Sequence, residues 1–166
     1  MHLLTHGISM HQGRLDGHIQ LERTGPSIAP ITFPGAGDVV ITEKFRSALE
    51  SSGLNGFSFL PVIKYHIVDL DLARQDATAE EPEDYILSGE HSEQASDALG
   101  NLWELITIDG VDVERGENLS IRLLAETWNG ADFFTARTTR IKCVSERAKT
   151  WLKRHIPEYV AFQPAD

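Results

Sequence analysis

The chain has 166 residues, 41% apolar and 24% charged, with a formal net charge of −10 at pH 7, which is the length of one domain with a sizeable core. No apolar run is long enough to span a bilayer, and so acidic a chain is a poor direct ligand for nucleic acid, which needs clustered Lys and Arg. A single cysteine, Cys143, excludes an internal disulfide and a metal site made of several thiolates.

In chain order, residues 1–25 carry four histidines without a basic start and apolar core, so no secretory signal is expected and the cytoplasm is favoured. His2, His6 and His11 would suit a metal only on a helix, which Gly7 opposes, so a frayed terminus is expected there. Residues 18–21 read as a short strand. Residues 34–38, Pro-Gly-Ala-Gly-Asp, are a dense turn signal, and Val39, Val40 and Ile41 then suit a buried strand. A helix over about 43–52 follows, capped by Thr42 and ended by Gly53. Residues 57–68 give one or two strands.

Residues 73–99, rich in acids, Ala and Ser and broken by Pro82, read as a long loop. Within it, residues 85–87 are expected as a strand and 93–99 as a turn of helix. Asp109-Gly110 and Asn129-Gly130, each between apolar runs, are two hairpin signals of the primed-turn kind. Residues 140–144 form a strand, 146–155 the second principal helix and 159–162 a closing strand. The fold class is therefore α+β, mostly antiparallel sheet from hairpins with two principal helices. Val40, Phe45, Leu49, Phe59, Val62, Leu105, Ile121, Leu123, Trp128, Phe133, Ile141, Trp151, Leu152 and Phe162 are the expected core.

One unit recurs. Thr42 and Ser145, Leu49 and Leu152, Phe59 and Phe162, and Pro61 and Pro164 are all separated by 103 residues. Each copy has a hydroxyl residue placed to cap a helix, then Glu in the first turn, then apolar residues at helical spacing. A strand-helix-strand unit duplicated over about 39–62 and 142–165 accounts for this, within one domain of 1–166. A repeated unit points to shape rather than catalysis.

Charge is unevenly placed. Residues 69–97 hold ten acids against Arg74 alone, a net of −9, whereas residues 133–166 hold seven bases and three acids. Asp76, Glu80, Glu81, Glu83, Asp84, Glu90 and Glu93 in this acidic connection are the candidate partner-binding residues, because an anionic surface steers a cationic partner.

Catalytic patterns are thin. The glycine-flanked serine of a hydrolase elbow is absent, and Ser58 and Ser88 do not supply it. Cys143 reads as a small packed hydrophobe. Asp69 and Asp71 beside His66 form the one arrangement that could hold a divalent ion with a nucleotide, giving an alternative reading as a metal-dependent enzyme. His91-Ser92-Glu93 is half of a zinc-deaminase pattern without its thiolates. No cofactor is implied.

Trp128-Asn129-Gly130-Ala131-Asp132-Phe133-Phe134, then Ser145-Glu146-Arg147, then Phe162-Gln163-Pro164 resemble the immunity proteins of bacterial polymorphic toxin systems. In that family a Trp-x-Gly-x-Asp-hydrophobic-Phe element precedes a Ser-Glu-Arg helix and a Phe-x-Pro ending. Phe33 to Asp38 and Thr42-Glu43-Lys44-Phe45 resemble its first half, so the likeness covers about 31–68 and 119–164. A myxobacterial branch carries paired cysteines suited to zinc; this chain has only Cys143, so no metal is carried over. The resemblance implies a cytoplasmic antidote to a toxin delivered by contact-dependent or type VI secretion, bound at its active site. An effector adaptor or chaperone is a further alternative, separable because it would bind without neutralising.

Overall fold

Asp16-Gly17 makes the first turn. Leu15 pairs with His18 across it, and both turn residues have positive φ, +50° and +86°, the backbone that lets a two-residue loop follow the right-handed twist of its strands. The computed structural model describes residues 9–35, 37–70, 83–115 and 121–162, which contain ten strands and four helices, an α+β fold. The chain divides into two compact units, one of Met1–Arg46 and Phe59–Glu104, the other of Ser47–Ser58 and Leu105–Asp166. Three elements give residues to both: α1 (Glu43–Glu50), β5 (Phe57–Pro61) and β7 (Leu102–Arg115).

In the first unit, β1 (Ser9–Leu15), β2 (His18–Gly25) and β6 (Ile63–Asp69) form a sheet in the order β1-β2-β6. β1 and β2 are antiparallel, but β2 and β6 are parallel, so this sheet is mixed rather than made of hairpins alone. β3 (Ile31–Gly35) and β4 (Asp38–Thr42) form the hairpin around the glycine-rich turn, and β4 pairs with the start of β7. Ile19, Leu21, Val40 and Leu102 make one apolar cluster; Ile67, Ala95 and Leu99 make a second, and Ile28 packs against both. Arg23 is fully buried, donating to the carbonyls of Thr24 and Ser27. Burial pushes its guanidinium down to about 10, so it stays cationic at neutral pH.

In the second unit, β7 is parallel to β9 (Phe133–Ala136) and antiparallel to β8 (Ile121–Leu124), while β10 (Lys142–Val144) pairs antiparallel with β9. Helix α4 (Glu146–His155) follows β10. Phe57 meets Phe133 edge to face at 5.4 Å. Gly56, at φ +89°, lies so close to the β9 chain that a Cβ there would sit 2.2 Å from the Phe133 carbonyl oxygen.

The two helices of the repeat match in detail. Thr42 accepts the Phe45 N–H at 3.3 Å and Ser145 accepts the Ala148 N–H at 3.1 Å. Phe45 and Leu49 are buried in α1; Ala148 and Leu152, at the corresponding positions, are buried in α4. The closing strand of the second copy does not form. Residues 157–159 make a turn, with the Tyr159 N–H donating to the Ile156 carbonyl, and 160–162 are irregular.

Further expectations are corrected. Residues 85–87 are not a strand but part of helix α2 (Asp84–Ser88), which turns Ile86 inward and leaves Leu87 exposed. Asp109-Gly110 is not a turn, because β7 runs through it unbroken. Gly110 lies where the register of β7 against β9 shifts, and a Cβ there would come within 2.4 Å of Phe134, so the glycine serves close strand approach. Asn129-Gly130 closes no hairpin either: β8 and β9 each pair with β7 instead. Trp128 and Ile141, expected in the core, are 44% and 42% exposed. Trp128 sits on a loop, with its indole N–H held by the Ala131 carbonyl, and Ile141 precedes β10. Phe59, Val62, Leu123, Trp151 and Phe162 are half-buried, and the Ile121 side chain lies outside the described residues.

Gly56→Ala should destabilise the protein by about 2–4 kcal/mol, since it adds both backbone strain and a clash; urea denaturation measures it. Leu49→Ala and Leu152→Ala should each cost about 2–5 kcal/mol in the same assay, and wild-type stability for either would refute its core-facing position.

Candidate functional site

The described half of the acidic connection is ordered. Glu83 and Asp84 start α2, Glu90 lies in the link, and Glu93 is in the first turn of α3 (Glu93–Ala98), capped by Ser92. All four are exposed. Asp76, Glu80 and Glu81 lie outside the described residues, as does Asp71.

What holds this segment is apolar burial and backbone hydrogen bonding to β6. Ile86, Ala95 and Leu99 are buried, and α2 and α3 pack on β2 and β6. The His66 Nε2–H donates to the carbonyls of Ile86 at 3.0 Å and Gly89 at 3.2 Å. The Ile67 N–H donates to His91 Nδ1 at 3.0 Å, and the Ser92 N–H to the Ile67 carbonyl at 2.7 Å. Gly89 is packed so tightly that a Cβ would lie 2.3 Å from the Val68 side chain. His66 is therefore engaged in clamping α2, and His91 and Ser92 in edge pairing and capping, rather than in the metal patterns their neighbours outlined. Among the described residues no group of three or more His, Cys, Asp or Glu is placed to hold a metal ion.

The acids keep their charge facing solvent. Of these acids Glu93 approaches His91 at 3.7 Å, and the Glu93 side chain is 86% exposed. Lys64, the nearby cation on β6, gives its ammonium to the Ser96 carbonyl instead. The arrangement is a set of carboxylates held on short helices over a hydrogen-bonded base, able to attract a cationic surface without first ordering a loop.

Elsewhere two networks pair charges internally. In the first unit Arg14 grips Glu104 through both guanidinium nitrogens at 2.6 and 2.8 Å, and also reaches Asp38, which His11 approaches at 3.2 Å. The hydrogen bonds to Glu104 and its charge raise the Arg14 guanidinium further above its ordinary value. His11 is thus part of strand β1, not a frayed end. Nothing local signals this network, because Arg14 and Glu104 are 90 residues apart.

In the second unit the residues that carry the family resemblance come together. Asp132, 4% exposed, accepts from the Ser145 hydroxyl at 2.7 Å, the Asn55 N–H at 3.1 Å and two nitrogens of Arg147. Asn55 in turn accepts the Asp132 N–H, and Arg147 also donates to the Gly53 carbonyl. The Arg147 guanidinium, with the Ser145 and Asn55 donors, holds the Asp132 carboxyl below the usual carboxylate range, against the desolvation that would raise it. The Asp of one motif and the Ser and Arg of the other are one interaction, and its role is to seat α4. The sequence displays both motifs but not their pairing. Cys143 packs in β10 against the Phe134 cluster, and burial pushes its thiol up, away from the reactive thiolate.

No helix among the described residues is long and apolar enough to cross a membrane. Compared with protein-family models, characterised proteins and solved structures, the chain matches none.

Replacing Asp132 by Ala should cost about 1–3 kcal/mol at pH 7, because it removes the acceptor shared by Arg147, the Ser145 hydroxyl and the Asn55 N–H. Asp132→Asn isolates the charge. A carboxyl with a depressed folded pKa contributes its full stability above the unfolded value of about 3.9 and loses it as pH falls through the folded value. The gap between wild type and Asp132→Asn should therefore be widest at neutral pH and close below about pH 4, as followed by denaturant titration across pH.

Proposed function

We propose that this protein is an immunity protein: an antidote that binds a cognate secreted bacterial toxin in the cytoplasm and occludes its active site, with the acid-bearing α2–α3 segment meeting the toxin. The observation that carries this reading is the state of that segment. Glu83, Asp84, Glu90 and Glu93 are exposed and among the described residues none pairs with Lys or Arg, while the elements that bear them are fixed to β6. A surface kept anionic and already ordered suits fast, steered association with a cationic cleft, as in a toxin that acts on nucleic acid or nucleotides. The family resemblance in Trp128 to Phe134 and Ser145 to Arg147 supports the same assignment, through residues that build the scaffold.

Two measurements test it. Co-expression with the product of the adjacent gene should rescue cells from that product's toxicity; binding without rescue would mark an adaptor, and neither would end the antidote reading. With the purified pair, changing Glu83, Glu90 and Glu93 to Gln and Asp84 to Asn should lower the association rate about tenfold or more at low salt and flatten its salt dependence. An unchanged rate and salt slope would remove the steering role from this segment.

A further inference from the structure

Two histidines fasten the acid-bearing segment to β6, and they do so with opposite polarity. The His66 Nε2–H donates to the carbonyls of Ile86 and Gly89. His91 does the reverse: its Nδ1 accepts the Ile67 N–H at 3.0 Å, so that nitrogen offers a lone pair and carries no proton. A ring nitrogen thus stands where a backbone carbonyl would normally pair with a sheet edge. Beside it the Ser92 N–H donates to the Ile67 carbonyl at 2.7 Å, and His91 bridges to Val68.

Charging the ring affects the two contacts differently, because an imidazolium is a donor at both nitrogens. Protonated His66 keeps the bonds it donates. Protonated His91 turns an N–H toward the Ile67 N–H, and two donors cannot share that contact. The ring must leave, and the backbone of a fully buried residue loses its acceptor. The two rings lie 6.0 Å apart, so a charge on both adds repulsion.

The surrounding charges do not restore the contact. Glu93 Oε1 lies 3.7 Å from His91 Nε2, the other ring nitrogen. Asp69 at the end of β6, Glu83 and Asp84 by α2, Glu90 in the link and Asp97 on α3 are exposed, and Lys64 on β6 gives its ammonium to the Ser96 carbonyl. Carboxylates near the ring favour the imidazolium whether it is docked or released; only the docked ring needs a bare Nδ1. Release is therefore coupled to proton uptake, and it is favoured as pH falls through the range in which histidines charge. We propose that His91 is a pH-sensitive latch: neutral, it fastens the start of α3 to β6, and protonated, it lets that edge open while His66 keeps α2 attached.

The test uses the chain alone, so its outcome is separate from that of the antidote reading. Amide exchange read by NMR, expressed at each pH as protection relative to an unstructured chain, removes the intrinsic pH dependence of exchange. Between about pH 7.5 and about pH 5.5, Ile67 should lose about fivefold or more of its protection, and buried Ile19 of β2 should lose less. His91→Asn supplies an acceptor oxygen that cannot titrate, and should hold the Ile67 protection within about twofold over the same interval. Imidazole nitrogen shifts should show the His91 Nδ1 bare at about pH 7.5 and protonated at about pH 5.5. Ile67 equally protected, or unprotected, at both pH values would overturn the latch. So would an Nδ1 that already bears a proton at the higher pH, an equal loss in His91→Asn, or an equal loss at Ile19.

Discussion

Fourteen consecutive residues of β7 present N–H and C=O groups that must be hydrogen-bonded wherever water is excluded. β4 serves its first residues, β9 its centre and β8 its end, and β5 pairs with it as well. This requirement explains why Asp109-Gly110 does not fold back: a turn there would remove the stretch on which β8 and β9 are built. Asn129 reinforces the choice, since its backbone and side chain cap the carbonyls of Asp109 and Gly110 from outside the ladder. Asp16-Gly17, the same dipeptide, does turn, because its flanking strands pair with each other and nothing competes for them.

Within the second unit a single buried carboxylate performs the organising role that a larger apolar interface performs elsewhere. Asp132 leaves one oxygen for the Ser145 hydroxyl and shares both with Arg147, while Asn55 exchanges hydrogen bonds with its backbone and side chain. Ser145 is thereby used twice, as the cap of α4 and as a donor to Asp132. The corresponding cap, Thr42, has the same relation to its helix, and Glu43 accepts the indole N–H of Trp103 at 2.6 Å. The two segments thus share a helix start and differ in what that start is tied to.

The two charge-bearing regions are handled in opposite ways. In the second unit Asp112 and Glu114 on β7 have Arg137 and Arg122 beside them, and Asp132 is buried under Arg147. On α2 and α3 the carboxylates face water, and the cohesive forces come from Ile86, Ala95, Leu99 and backbone hydrogen bonds instead. Holding the segment without neutralising it keeps its potential available at range, whereas pairing elsewhere limits what the net charge costs the fold.

Wherever a segment's own chemistry was enough, the sequence determined the result: the caps at Thr42 and Ser145, helix α4 over 146–155, the turn of helix at 93–98, and the α+β class follow from side chains acting on backbone within one turn or one strand. Tertiary structure decided what local signals left balanced. Whether residues 85–87 became helix or strand depended on Ile86 alone finding a core. Whether a glycine turned or let strands close up depended on Phe134 lying against Gly110, and the parallel pairings of β2 with β6 and β7 with β9 joined residues with no pattern in common. The meeting of Asp132 with Arg147, and of Arg14 with Glu104, was likewise invisible in one dimension, because a hydrogen bond's partner is chosen by distance in space and leaves no periodicity along the chain.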